Sequence, residues 1–307
     1  MEYKKISVLI VTYKQADVIG RNIESILQQK DYGLHEIVIC DDCSPDNNWE
    51  VIQSYVEKYP GVVRAYRNET NLGIYGNSNK LMSLRGDSDF FCWLEGDDAL
   101  CDGFLQSAQN FVNKNKIDVS EAIGIFSDFQ IINPQGTVKV KKNDYFLSHP
   151  HSNPFRAYLH GVVSWRSGLF TAAVLDRFEP VRLDQGLGMA ETLFDSQWFK
   201  HVDKYFYMPY VGSTYFSGIG ISQTLGIESA YQKEEALAQW SYYYSLGNWN
   251  IFDKCWIKSH ITRANYNICP TIGSLLKFIC LYPIGCFGYP FHLKAYIASI
   301  RKMAKNN

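Results

Sequence analysis

Three observations in the sequence predict an α/β fold with a mostly parallel central sheet flanked by helices. Short β-branched apolar runs alternate with segments whose apolar residues recur at helical spacing, the pattern of strands joined by right-handed crossovers. Phe90-Phe91-Cys92-Trp93-Leu94 runs straight into Glu95-Gly96-Asp97-Asp98, which reads as a buried strand ending in an acidic pair. Polar or acidic pairs also end two earlier strands, at Thr12-Tyr13 and Asp41-Asp42. In a parallel sheet these three ends share one edge, and open α/β sheets bind ligands outside the carboxyl ends of their strands.

Taken in order, Ile6 to Thr12 is β-branched and apolar and predicts the first strand. A helix opens at Asp17, with Ile19, Ile23, Ile26 and Leu27 on one face. Glu36 to Cys40 is a second strand. Ser44-Pro45 then reads as an N-cap with proline at the first helical position, followed by Val51, Ile52, Tyr55 and Val56. Val62 to Tyr66 is a third strand, and a polar loop from Asn68 to Asn79 leads to a helix over Lys80 to Arg85. After the acidic strand end come a helix from Gly103 to Lys114 and a strand from Ala122 to Phe126. Asn133-Pro134-Gln135-Gly136 marks a hairpin, so the architecture changes there. His149 to Asn153 reads as a seam between halves.

The second half predicts helices over Leu169 to Phe178, Glu191 to Val202 and Glu228 to Leu246, and a strand at Tyr205 to Met208. Gly212 to Gly226 is rich in Gly, Ser and Thr and reads as a flexible loop of the kind that closes over ligands. Ile272 to Phe291 is largely apolar, but Lys277, Pro283 and Pro290 argue against a spanning helix.

Charge is unevenly spread. No Asp or Glu follows Asp253, whereas Lys254, Lys258, Arg263, Lys277, Lys294, Arg301, Lys302 and Lys305 do. Those eight leave 22 basic residues against 31 acids in the remainder, a balance of −9. Such a body is a poor partner for nucleic acid, while the tail suits a polyanionic surface. Two readings of the tail stand: a segment lying peripherally on anionic lipid, or a helical pair packed on the sheet. Eight scattered cysteines and the lack of a signal peptide predict a cytoplasmic protein; the Cys40-Cys43 pair has no second pair to complete a zinc site. A dinucleotide fingerprint and a P-loop are both missing after the first strand.

Two adjacent carboxylates repel, and a divalent cation relieves the conflict, so Asp97 and Asp98 read as metal ligands or as caps of the next segment. Asp42 reads as a ligand contact or as turn chemistry ahead of Ser44. Asp195 lies in the aromatic surface Phe194, Trp198, Phe199, where it serves either as a partner for a buried cation or as a base with a raised pKa.

The ordered set Ile6-to-Tyr13, Val38-to-Ser44, Asn71-x-Gly73 and Leu94-to-Asp98 resembles the inverting glycosyltransferases of family 2, with the GT-A fold. The likeness covers residues 5–130 well and extends loosely to 222. It implies a GT-A domain over residues 1–225, with a nucleotide-sugar-binding half (1–128) and an acceptor half (129–225), then a helical C-terminal extension (226–307). It implies that Thr12, Tyr13, Asp42, Asn71, Gly73 and Asp97 surround the nucleotide, with Asp42 accepting the uracil N–H. Asp97 and Asp98 would hold Mg²⁺ or Mn²⁺ against the diphosphate. Asp195 becomes the catalytic base and Glu191 its competitor. The partners implied are a nucleotide-diphosphate sugar, with UDP the favoured nucleotide, and a saccharide or lipid-linked saccharide acceptor of polysaccharide or cell-envelope biosynthesis. A nucleotide-sugar-binding protein without turnover is the alternative. Two departures stand out: Glu95 replaces the first aspartate of an Asp-x-Asp, and Tyr215 to Ser222 lacks the His or Arg that steadies the diphosphate.

Overall fold

The structure is a computed structural model, and it describes residues 3–148, 153–161, 163–182, 187–218, 230–247, 249–286 and 296–297. In chain order the elements are β1 (Ile6–Thr12), α1 (Ile19–Leu27), β2 (Leu34–Asp41), α2 (Asn48–Lys58), β3 (Val63–Arg67), α3 (Gly73–Leu84), β4 (Phe90–Glu95), β5 (Ala99–Leu100) and α4 (Phe104–Asn115). There follow β6 (Ile123–Ile132), β7 (Val138–Lys141), α5 (Tyr145–Ser148), α6 (Pro154–Leu159), β8 (Leu169–Thr171), α7 (Ala172–Leu175), α8 (Leu187–Lys200) and β9 (Lys204–Phe216). Three further helices lie among the described residues: α9 (Ala230–Ser245), α10 (Ile251–Ile268) and α11 (Ile272–Cys286).

The strands form one sheet in the order β3-β2-β1-β4-β8-β6-β9-β5, with β7 paired to β6. Its first four strands are parallel. β8 then runs antiparallel to both β4 and β6, while β6 and β9 are parallel, so the second half is mixed. The parallel half is buried on both faces because crossover helices cover it, and β1 is buried at every position. Ile6, Val8 and Ile10 of β1 pack in one core with Ile19, Ile23 and Ile26 of α1 and with Ile37 and Ile39 of β2. The predicted strand–helix alternation and the hairpin (β6–β7) are thus present.

Four element boundaries differ from expectation, each for a local reason. α2 starts at Asn48, not Pro45, because Ser44 is spent on a turn: its hydroxyl and N–H both donate to the Asp41 carboxylate, at 2.5 and 3.1 Å. α3 starts at Gly73, well before Lys80, because the Asn71 side-chain oxygen accepts the Gly73 N–H at 3.0 Å and Gly73 takes φ 75°. Leu169 to Thr171 form β8 rather than helix; Thr171 Oγ1 accepts Ile123 N–H and donates to the Glu121 carbonyl, tying the segment into the sheet. β9 runs on to Phe216, so Gly212 to Phe216 is strand, not loop. Pro209 falls where the β6–β9 register shifts, and such an irregularity tolerates a proline. The rest of the predicted loop, residues 219–226, and most of the predicted seam, residues 149–152, lie outside the described residues.

The chain divides into two compact units, Met1–Val181 with Phe194–Thr224, and Arg182–Leu193 with Leu225–Asn307. In the second, α10 and α11 pack through Trp256, His260, Phe278 and Tyr282. Gly285 permits this, since a Cβ there would stand 2.7 Å from the Trp256 backbone. Among the described residues no helix is long and apolar enough to cross a membrane.

In the first unit Trp198 of α8 is fully buried against Trp93, Phe170, Phe178 and Phe194. Trp198→Ala is expected to cost about 3–5 kcal/mol of unfolding free energy, read by urea denaturation. A loss below about 1 kcal/mol contradicts this packing.

Candidate functional site

Adjacent strands bring the predicted residues to one edge. Thr12 is in register with Asp41, and Val11 with Glu95. The chain continues this pairing past the strands: Asp42 N–H donates to the Thr12 carbonyl at 3.0 Å, and Gly96 N–H to the Val11 carbonyl at 2.9 Å. Gly96 is required by closeness, since a Cβ would meet Thr12 Cβ and Oγ1 at 2.9 Å. Thr12 Oγ1 itself hydrogen-bonds Gln15 and Asn48.

The two aspartates after β2 have different duties. Asp41 is fully buried and saturated by Ser44, Asn48 and Arg67. Asp42 Oδ1 accepts the Asn68 side-chain N–H and the Leu72 N–H, both at 2.8 Å. That pins the loop carrying Asn71 and Gly73 beside the strand end, while Oδ2 accepts no hydrogen bond from the described residues. Lys14 and Cys43, which follow β1 and β2, both hold left-handed backbone at φ 56° and 57°. Such non-glycine positions are strained, and here the Lys14 N–H donates to Ser44 Oγ at 3.0 Å. Tyr13 stands half-exposed between Thr12 and this turn.

Glu95, Asp97 and Asp98 crowd the end of β4. Asn22 of α1 donates to the Glu95 and Asp98 carbonyls, and Arg21 to the Asp97 carbonyl. These bonds fix the backbone and leave the carboxylates to other partners. Arg166 meets Asp98 Oδ2 at 2.8 Å and approaches both Glu95 oxygens at 3.5 Å, with its guanidinium over the Tyr215 ring. Asp98 Oδ1 accepts the Phe216 N–H at 3.4 Å, and Arg21 stacks on the Phe216 ring at 3.7 Å. The end of β9 is thereby clamped to the acidic turn. Asp97 is different: only 6% exposed, its carboxylate takes a hydrogen bond from its own backbone and from no other described residue. Neither aspartate caps a helix, since α4 opens on Gly103 without a side-chain cap.

Asp195 lies half-buried on α8. Its neighbour Phe194 packs on Trp93 of β4 and on Tyr75 of α3, at centroid distances of 5.0 and 5.9 Å. Arg166 feels the Asp195 charge as well as those of Glu95 and Asp98. Glu191 belongs to α8, but its side chain lies outside the described residues. Arg166, from the segment before β8, places a cation beside the acidic turn. Arg166 and Arg21 carry no motif around them that marks these contacts; each reaches the acidic turn only through tertiary folding.

Burial, then the Glu95 charge, pushes the Asp97 carboxyl from 3.8 up to about 6, against its own backbone hydrogen bond, Arg166 and Arg21. Burial likewise raises Asp98, with Arg166 opposing and Glu95 and Asp97 adding. Arg166 loses some basicity to burial, yet the surrounding carboxylates hold it firmly cationic. One guanidinium bridging two carboxylates leaves the group short of positive charge. Among the described residues no three His, Cys, Asp or Glu side chains converge as a ready cation cage. Mg²⁺ needs none, because it is held by one or two carboxylates together with substrate phosphates. The buried, open Asp97 carboxylate, a hard oxygen donor, fits a divalent cation of that kind.

Residues 7–157 match the model for glycosyl transferase family 2 and belong to that family. The fold is the GT-A fold. It is shared with the Staphylococcus aureus protein TarS, residues 1–349 in complex with UDP-GlcNAc, at TM-score 0.58 and 16% identity over 96% of this chain and 81% of that one. The mannosyltransferase PcManGT from Pyrobaculum calidifontis, in complex with GDP-Man and Mn²⁺, is similar at TM-score 0.56 and 13% identity over 99% and 85%. In sequence, the poly(ribitol-phosphate) β-N-acetylglucosaminyltransferase TarP of S. aureus is 30% identical over 120 residues, 38% of this chain. The poly(ribitol-phosphate) β-glucosyltransferase of Bacillus spizizenii is 27% identical over 120 residues. These alignments span 35% and 18% of the two relatives' lengths.

A carboxyl whose folded pKa exceeds its unfolded value costs stability as pH rises through the interval between them. For Asp97 that interval runs from 3.8 to about 6. With divalent cations chelated, Asp97→Asn should therefore raise stability at pH 7 by about 3 kcal/mol, the gain vanishing below about pH 4. Thermal unfolding across pH reads this, and a variant less stable than wild type at pH 7 contradicts it.

Proposed function

We propose that the protein transfers a sugar from a nucleotide-diphosphate donor, UDP-linked, to a hydroxyl of a saccharide or lipid-linked saccharide, inverting the anomeric centre in a single displacement. One observation carries the reading: Thr12, Asp42 and the open Asp97 carboxylate stand at adjoining strand ends of the parallel half-sheet. The UDP-GlcNAc bound by TarS and the polymer acceptor named for TarP support the donor and acceptor classes. Asp42, through its open Oδ2, accepts the uracil N–H, and Tyr13 lies against the base. The Asn71–Gly73 turn borders the nucleotide.

Asp97, with Asp98 beside it, would hold Mg²⁺ or Mn²⁺, which when bound stabilises the charge growing on the leaving diphosphate. Arg166 supplies a second positive group for that diphosphate, in place of the residue missing after β9. Asp195 removes the acceptor proton as its oxygen attacks, and Arg166 keeps a cation near that carboxylate. Glu191 is the competing base. The donor and the acceptor meet at the cytoplasmic face of the membrane in this reading.

A nucleotide-sugar-binding protein without turnover is the second reading. It is favoured by the Arg166–Asp98 pair, which engages one of the two expected cation ligands. Appearance of labelled sugar on an acceptor discards it. For the base, Asp195→Asn should lower kcat by about 10²–10⁴-fold with donor affinity unchanged, and Glu191→Gln far less. Transfer by Asp195→Asn at the wild-type rate excludes Asp195.

A further inference from the structure

The second unit carries an apolar surface that the transfer reading does not use. On α11 the buried face is Phe278, Tyr282, Gly285 and Cys286, which pack toward α10 or the aromatic cluster around it. The opposite face shows Ile272, Leu276, Cys280 and Ile284, one residue per helical turn, to solvent. Ile272 is 74% exposed, Leu276 56% and Ile284 42%, so this is a continuous ridge rather than a scattered residue. Ile268, at the end of α10, is also exposed.

The only charged residue of α11 is Lys277, exposed beside the ridge and without an acidic partner among the described residues. Lys254 and Lys258 are exposed on α10 opposite the face that Trp256 and His260 pack against α11, with Lys258 over the Tyr244 ring of α9. Asp253, the last acid in the chain, is buried. A second copy of this chain would set like charges against each other along that face. An anionic surface complements it, and an anionic bilayer alone offers both negative headgroups and an apolar layer beneath them.

We propose that the Ile272–Leu276–Ile284 face of α11 lies in the interface of a membrane rich in anionic phospholipid, with Lys277 directed to the headgroups. Fifteen residues of helix span about 22 Å, short of a hydrocarbon core of about 30 Å, so the helix lies in the interface and does not cross it. Lysine stems reach along the apolar layer while their ammonium groups stay at headgroup level. This names the contact behind the membrane location proposed above and does not depend on which sugar is moved.

The test is co-sedimentation of the full chain with phosphatidylcholine vesicles, either pure or containing about 30% phosphatidylglycerol. Wild type should partition at least about tenfold more strongly onto the anionic vesicles, and raising salt to about 0.5 M should weaken this. The Ile272→Glu, Leu276→Glu double variant should lose about tenfold or more, and Lys277→Glu a smaller part. Both sites are exposed, so thermal unfolding should be unchanged and confirms folded variants. Equal binding to neutral and anionic vesicles, or a double variant that binds like wild type, overturns the proposal. So does a lipid-free dimer that Leu276→Glu dissociates. Sugar transfer to a soluble acceptor should survive the double variant, which separates this result from a failure of the transferase reading.

Discussion

The deficit of positive charge at the end of β4 organises this molecule. Glu95, Asp97 and Asp98 are drawn together by a two-residue turn at the edge of a buried sheet, where water screens them little. Arg166 pairs with Asp98 and approaches Glu95; Asp97 is left open. Neighbouring elements hold that arrangement through backbone carbonyls: Asn22 and Arg21 from α1, and the bare Cα of Gly96 against Thr12. Because α1 grips the turn through its main chain, the carboxylates stay available to a cation and to Arg166.

The same acidic turn connects the two halves of the sheet. Phe216 N–H reaches Asp98 from β9, and Arg166 comes from the segment before β8. Trp93, two residues before Glu95, receives Phe194 and Trp198 of α8. Aromatic packing therefore sets where Asp195 stands, while the acidic group acts on the cation nearest to it. Arg166 thus lies under the charges of Asp195 and of the acidic turn together.

Much of the parallel half was legible in advance, because a buried strand bounded by polar pairs is a local signal. β1, β2 and β4 follow directly from Ile6 to Thr12, Glu36 to Cys40 and Phe90 to Leu94. Helix starts were less visible. Asn71 with Gly73 begins α3 by turn chemistry that reads as loop, and Ser44 resembles a cap but serves Asp41. β9 was hidden because Pro209 and Gly212 ordinarily end strands, whereas here an irregularity takes the proline and Phe104 packs where a Gly212 side chain would be. Arg166 carries no local signal that marks it as the partner of Glu95 and Asp98. Contact across 68 residues of chain follows from β8 entering the sheet beside β4, which a three-residue strand does not announce.

Calorimetric titration of UDP into the protein, with Mn²⁺ present and with it chelated, tests the central claim most directly. In the proposed reading Asp97 would hold a divalent cation that would also take diphosphate oxygens, so donor binding should depend on metal. The account predicts tight binding with Mn²⁺ and at least about tenfold weaker binding without it. Equal affinity in both conditions, or no binding in either, would contradict it.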